Sequence, residues 1–305
     1  MIPSNDLSQV SDLSSNTRLS SYFKMTKPTI SLLVVLTVLP SLFISSQGYP
    51  SLLATFVTLF GTFLASSSAA MFNHLVDSDI DASMVRTSDR PIPAGQVNAK
   101  QAFVLALFLG IFSFSILYYY TTTLAAYIAL GANFFYVVVY TMYLKRRTDQ
   151  NIVIGGAAGA VGPLIGSAAV SGTISLEAWM LFTIIFLWTP PHFWALAIKY
   201  KDDYASVGVP MLPSVRGVKS ARIHILLYSL SLLLPVIGLC IYGQVGWIYS
   251  ITSIAATLYF IYLSWVLYDS RSEDKVMPVF YFSLVYVFLV FITLTFDQAF
   301  FFMAS

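Results

Sequence analysis

The chain has 305 residues, of which 57% are hydrophobic and only 10% charged. A soluble globular domain carries about 25% charged residues, so the composition excludes a domain that covers a water-facing surface with polar groups. The net charge of +2 says little until the charges are placed, and no nucleic-acid partner is expected.

Residues 1–22 are polar and Ser-rich and are expected to form a disordered cytoplasmic tail, followed by a single membrane domain over 23–303. The tail lacks the apolar core of a cleavable signal peptide. It carries Arg18 against Asp6 and Asp12, unlike an Arg-rich, acid-poor transit peptide. The expected location is therefore a bacterial inner membrane. Nine apolar runs follow, at about 28–47, 51–73, 101–120, 123–143, 151–171, 177–198, 223–243, 245–268 and 278–302, each near the length that crosses a bilayer core. Lipid cannot satisfy an open backbone, and the runs are too long and too uniformly apolar for barrel strands, so they are read as helices. Pro40, Pro163, Pro190, Pro191 and Pro235 inside them are tolerable in membrane helices and can kink them. Cys240, the only cysteine, excludes an internal disulfide and reads as a small apolar packing residue.

All 16 Lys and Arg lie in the tail or in the connections after the second, fourth, sixth and eighth runs. They are Arg18, Lys24 and Lys27; Arg86, Arg90 and Lys100; Lys145, Arg146 and Arg147; Lys199, Lys201, Arg216, Lys219 and Arg222; and Arg271 and Lys275. This segregation puts the N-terminus in the cytoplasm and the C-terminus outside. It also checks the count of nine, because one helix too many or too few would scramble it. The long connections, roughly 74–100 and 199–222, lie on the charged side. Function is expected there.

The first polar cluster runs from Asn73 through Asp77 and Asp79 to Asp81. In a continuing helix Asn73, Asp77 and Asp81 stand at i, i+4 and i+8 on one stripe, about 6 Å apart along the axis. Asp79 faces elsewhere and needs another partner. Crowded carboxylates near a bilayer are costly, and two readings stand: a solvated acidic helix end, or a hard-oxygen site for Mg²⁺ bridging to phosphates. Arg86 and Arg90 precede Pro91-Ile-Pro93. They and Lys145, Arg146 and Arg147 read either as topological anchors or as phosphate ligands. A second cluster closes the sixth run, with His192 and Trp194 beside Pro190-Pro191, then Lys199, Lys201, Asp202, Asp203 and Tyr204. His192 lies two turns, about 10 Å, inside the helix end. A hydrogen-bonded structural histidine and a ligand-contacting one are both open readings. Asp202 and Asp203 are either surface ion-pair partners or a second metal half-site.

The segments NHLVDSDIDASMVRTSDRPIPAG, YTMYLKRRTDQNIVIGGAAGAVGPLIG and WTPPHFWALAIKYKDDYASVGVPMLP, in this order on nine helices, resemble the UbiA superfamily of intramembrane prenyltransferases, and its heme-modifying branch in particular. The likeness spans about residues 20–300. It implies an all-α polytopic fold around a central apolar cavity, and farnesyl transfer from farnesyl diphosphate to the 2-vinyl group of heme B, with addition of water, giving heme O. It further implies Mg²⁺ on Asn73, Asp77, Asp81 and Asp203. Arg86, Arg90, Lys199, Asp202 and Asp203 would join the catalytic set, with Lys145, Arg146, His192, Trp194 and Tyr204 as substrate contacts. The lipid bilayer is the surrounding partner, and heme A synthase or terminal oxidase assembly is an implied association. Quinone-type members tend to carry D-x-x-x-D in the second segment, whereas Asp202 and Asp203 are followed by Ser206 and Val207, which leaves the metal count open. A UbiA-type enzyme acting on a quinone precursor or chlorophyll-like ring is the rival within the class, and a membrane transporter the rival outside it.

Overall fold

A computed structural model describes residues 18–243, 245–270 and 272–304. Among them, nine helices are long and apolar enough to cross a membrane: α1 Pro28–Ser46, α2 Leu52–Val76, α3 Ala99–Tyr120, α4 Thr123–Arg146, α5 Asn151–Ser171, α6 Leu176–Lys199, α7 Gly217–Tyr242, α8 Trp247–Ser270 and α9 Glu273–Phe300. No strand occurs among the described residues. Local chemistry sets the helix starts. The side chains of Ser51, Asn98, Thr122 and Ser175 each accept a hydrogen bond from a free backbone N–H in the first turn of α2, α3, α4 and α6, and Pro28 opens α1 at a position where no N–H is needed. Helix α6 runs through Pro190 and Pro191 without interruption.

Successive helices pack side by side, and α9 closes the bundle against α1 and α6. Where α1 meets α5 the backbones come very close. A Cβ on Gly166 would lie 2.7 Å from the Val38 carbonyl oxygen, and one on Gly162 would lie 2.1 Å from Thr37 Oγ1. Gly162 and Gly166 thus form a small-xxx-small contact, the means by which membrane helices gain van der Waals packing without a hydrophobic driving force. Helices α1, α2, α4 and α5 enclose a cavity of about 120 Å³, walled mainly by Ala, Gly and Val side chains, with Lys27 and Tyr136 at one end and Thr62 and Ile165 at the other. The cavity belongs to the first half of the bundle. The α6–α9 half is filled by a core that includes Leu181, Trp188, Phe260 and Tyr286.

Of the tail expected to be disordered over 1–22, residues 1–17 lie outside the described residues, while residues 18–25 are helical. Tertiary contacts account for the difference: Tyr22 Oη donates to Gln101 at 2.9 Å, Ser21 Oγ donates to Gln96 at 2.8 Å, and Met25 is fully buried beside Met71 and Ala102. The long connections gather at one end of the bundle. That end carries the polar clusters, while at the opposite end the described residues between helices are the short links 47–51, 121–122 and 172–175, and α7 and α8 are separated by few residues.

Replacing Gly166 by Ala forces the α1 backbone to shift, since the obstructing atom is a main-chain oxygen. Thermal or denaturant unfolding of the detergent-solubilised protein is expected to show a loss of about 1–3 kcal/mol, larger than for Ala at Gly131, whose Cβ would meet nothing within 4 Å.

Candidate active site

Helix α2 ends at Val76, but its hydrogen-bond ladder does not stop there. The Asp77 N–H donates to the Asn73 carbonyl at 2.9 Å and the Asp81 N–H donates to the Asp77 carbonyl at 2.8 Å, leading into a short helix Ser78–Ser83. The i, i+4, i+8 stripe is therefore continuous, and it is inside the protein: Asn73, Asp77 and Asp81 are 4%, 0% and 2% exposed.

Buried carboxylates must be neutralised, and cations from three other segments reach them. Lys145 Nζ, near the end of α4, lies 2.5 Å from Asp77 Oδ2, to which Asn73 Nδ2 also donates at 2.7 Å. Arg90 Nη1 donates to both oxygens of Asp81 at 2.8 and 2.7 Å. Lys27 Nζ donates to Asn73 Oδ1 at 2.8 Å. Lys145 and Arg90 thus balance the two carboxylates, and Lys27, held on the neutral Asn73 beside them, is the group whose charge an incoming anion would draw out. Burial, followed by repulsion from Arg90 and Lys145, pulls Lys27 down to about 7. The fit is completed by a π-helical stretch of α4, Phe135–Tyr143. There the Thr141 hydroxyl donates to the Tyr136 carbonyl at 2.9 Å and receives Asn73 Nδ2 at 3.3 Å. Widened turns of this kind recur at functional sites.

Asp79 leaves the stripe as its helical position requires. It pairs with both Nη atoms of Arg146 at 2.7 and 2.8 Å in an exposed setting, and those hydrogen bonds hold its carboxyl down at about 2. Being exposed, the pair fixes geometry more than it adds stability. Arg86 reaches the second segment: its Nη2 donates to Tyr204 Oη at 3.0 Å, and its guanidinium lies 4.9 Å from the Tyr200 ring centroid. Val209 and Met211 of that segment pack on Ile80 and Met84, and Asn151 Nδ2 donates to the Pro210 carbonyl at 3.0 Å. The two segments are therefore stacked over one another. Asp202 and Asp203 do not join the stripe; Asp202 is exposed, Asp203 is half-buried, and neither forms an ion pair among the described residues. Lys199 is exposed, 5.9 Å from the Tyr200 ring.

His192 stacks between Trp188 and Phe280, with ring centroids at 4.6 and 4.8 Å, and its Nδ1 lies 2.6 Å from Ser283 Oγ. Trp194, two residues on, points to α7 instead. It is fully buried against His224 and Tyr228, away from the His192 ring that the sequence reading grouped with it as a substrate contact. Lys27 and Thr141 are members of this site that the sequence reading passed over. Lys27 looked like one more topological cation, and only its place directly before Pro28, at the start of a span, hinted otherwise.

No three Asp, Glu, His or Cys side chains among the described residues converge tightly enough to hold a metal alone. Mg²⁺ keeps several waters and binds through one or two carboxylates plus substrate phosphates, so the test of fit lies with the individual carboxylate oxygens. One atom is left ready for such a role: Asp77 Oδ1 is buried and without a hydrogen-bond partner.

The profile of the UbiA prenyltransferase family matches residues 34–294. A curated relative from Leptospira biflexa, named protoheme IX farnesyltransferase, is 43% identical over 278 residues, covering 90% of this chain and 97% of its own. One of the same name from Gloeobacter violaceus is 44% identical over 285 residues, covering 93% of each. Among solved structures, a digeranylgeranylglyceryl phosphate synthase superposes with a TM-score of 0.77 at 18% identity, over 92% of this chain and 99% of that one. A UbiA homolog from Archaeoglobus fulgidus bound to DMAPP and Mg²⁺ gives 0.67 at 15% identity, over 90% and 99%.

Removing Lys145 leaves a fully buried carboxylate uncompensated. Lys145→Met is expected to cost about 3–5 kcal/mol of stability, read by unfolding in detergent. Adding Asp77→Asn to it should restore most of that loss without restoring turnover, because the double variant removes the unpaired charge and the candidate ligand together.

Proposed function

The chain belongs to the UbiA prenyltransferase family, and on that premise we propose that it transfers a farnesyl group from farnesyl diphosphate to the 2-vinyl group of heme B, with addition of water, giving heme O and diphosphate. Its relatives at 43–44% identity over nearly their whole length carry that activity in their name. The observation that carries the reading in the structure is the buried Asn73–Asp77–Asp81 stripe with Lys27, Arg90 and Lys145 around it, beside an apolar cavity whose lining includes Lys27 and Tyr136.

The roles follow from the chemistry of each group. Asp77 and Asp81, with Asn73, would hold Mg²⁺, which when bound neutralises charge on the diphosphate as the allylic C–O bond breaks. A UbiA homolog solved with DMAPP and Mg²⁺ supports that assignment. Lys27, Arg90 and Lys145 lie within hydrogen-bond reach of the stripe and supply donors to the departing oxygens. Arg86, Arg146 and Lys199 add positive charge at the same end. The cavity takes the prenyl chain. From Ala70 to Thr62, both in its wall, the depth along α2 is about 12 Å at 1.5 Å per residue. Its Ala and Gly walls shield the allylic cation from water until the vinyl carbon attacks C1; water then adds to the cation formed on the adjoining carbon, losing a proton. His192 is the residue proposed to meet the heme. The charged end of the bundle faces the cytoplasm by the positive-inside rule, in a bacterial inner membrane.

Incubating the purified protein with heme B, farnesyl diphosphate and Mg²⁺, then weighing the porphyrin, should give a product heavier by one farnesyl group plus one hydroxyl. Unmodified porphyrin, alongside prenylation of a quinone precursor in the same membranes, would move the protein to another branch of the family. Ala69→Phe, which fills the cavity wall, should lower turnover at least about tenfold while leaving the stripe's ion pairs in place, as judged by unchanged Mg²⁺-dependent binding of inorganic diphosphate.

A further inference from the structure

His192 is 9% exposed, and its surroundings decide which part of the ring is available. Both faces are closed, by Trp188 at an interplanar angle of 17° and by Phe280 at 22°. Trp188 is itself pinned, its Nε1–H donating to the Ser283 carbonyl at 2.7 Å. What remains is the ring edge, and there the protons can be counted. The Ser283 hydroxyl lies 2.5 Å from the Phe280 carbonyl oxygen. A carbonyl only accepts, so the single serine proton points there. The 2.6 Å contact between Ser283 Oγ and His192 Nδ1 then needs its proton from the imidazole, which makes Nδ1 the donor. No acid forms an ion pair with His192 among the described residues, so the ring is neutral and carries one N–H. Nε2 is thereby left with a bare lone pair. It has no hydrogen-bond partner among the described residues, and unlike both ring nitrogens of His74 it is not among their sealed unpaired atoms.

A histidine that gives one N–H to a fixed protein acceptor and presents the other nitrogen unprotonated is arranged as a metal ligand. A lone pair at that position repels an anionic diphosphate, and an imidazole nitrogen suits iron. We propose that His192 Nε2 is an axial ligand to the iron of the porphyrin substrate, and that Ser283 is a positioning residue that fixes the ligating tautomer. The proposal rests on the reading of heme as the acceptor. It assigns the α6–α9 contact to the porphyrin and leaves the α1, α2, α4 and α5 cavity to the prenyl chain, so the two substrates are held by different halves of the bundle.

The test is a spectroscopic titration of the purified full chain with ferric heme B, without prenyl diphosphate. The wild type should show a saturable Soret shift of histidine-ligated heme. His192→Ala should lose that spectrum and regain it on addition of free imidazole, while still binding farnesyl diphosphate as proof of folding. Ser283→Ala should weaken heme binding by about 10–100-fold and broaden the ligated spectrum, and Ser283→Thr, which keeps the hydroxyl, should restore both. A Soret band and Kd unchanged in His192→Ala overturn the ligand assignment even where the wild type makes heme O. Wild-type behaviour of Ser283→Ala overturns the positioning role. Failure of the underlying reading looks different: the wild type itself then gives neither a saturable heme spectrum nor a prenylated porphyrin.

Discussion

Two carboxylates buried at the end of a membrane helix are the constraint on which the charged end of this protein depends. Asp77 and Asp81 are 0% and 2% exposed, and an uncompensated charge there would cost several kcal/mol. Compensation comes from Lys27 ahead of α1, Lys145 near the end of α4 and Arg90 in the loop after α2. One pair of acids therefore fixes where three other segments end. The chain that leaves α2 must fold back for Arg90 to reach Asp81, and it carries Arg86 onto Tyr204, which draws in the segment after α6. The assembly holds Lys27 in reserve beside two balanced ion pairs and has one carboxylate oxygen, Asp77 Oδ1, without a hydrogen-bond partner among the described residues. Those are the properties of a site that accepts a metal ion and a polyanion together.

The rest of the bundle divides the remaining tasks. Close glycine-mediated packing of α1 on α5 draws together the walls of the apolar cavity, whose lining includes Lys27. The second half is built around a core rich in aromatic residues, among them Trp188, Phe260 and Tyr286. Its polar feature is the His192–Ser283 contact inside α6 and α9, held by stacking on both faces of the imidazole. A donor of charge and a donor of a lone pair thus stand in separate halves, joined at the charged end by the two stacked loop segments.

Much of this was legible in the sequence because it is periodic or compositional. The nine spans follow from run length, and the Asn73–Asp77–Asp81 stripe from a four-residue spacing that holds only because the helical ladder continues past Val76. Asp79 was expected to need a separate partner, and Arg146 is that partner. What stayed hidden depends on contacts between residues far apart in the chain. Lys27 meets Asn73 across 46 residues and His192 meets Ser283 across 91, and no local pattern marks either pair. The place of Trp194 against His224 and Tyr228 was equally hidden, since residues two apart on a helix face in very different directions. The helical segment 18–25 escaped notice for a related reason: its composition is that of a tail, and only docking against Gln96 and Gln101 orders it.

The most direct measurement of the central claim is the linkage between Mg²⁺ and prenyl diphosphate. Titration calorimetry of a non-hydrolysable farnesyl diphosphate analogue, with and without Mg²⁺, should show affinity rising at least about tenfold with the ion, or about 1.4 kcal/mol of coupling. That coupling should vanish when Asp77 and Asp81 are both changed to Asn. Equal affinity with and without Mg²⁺ in the wild type, or full coupling retained in the double variant, would contradict the assignment of the buried stripe as the metal–diphosphate site.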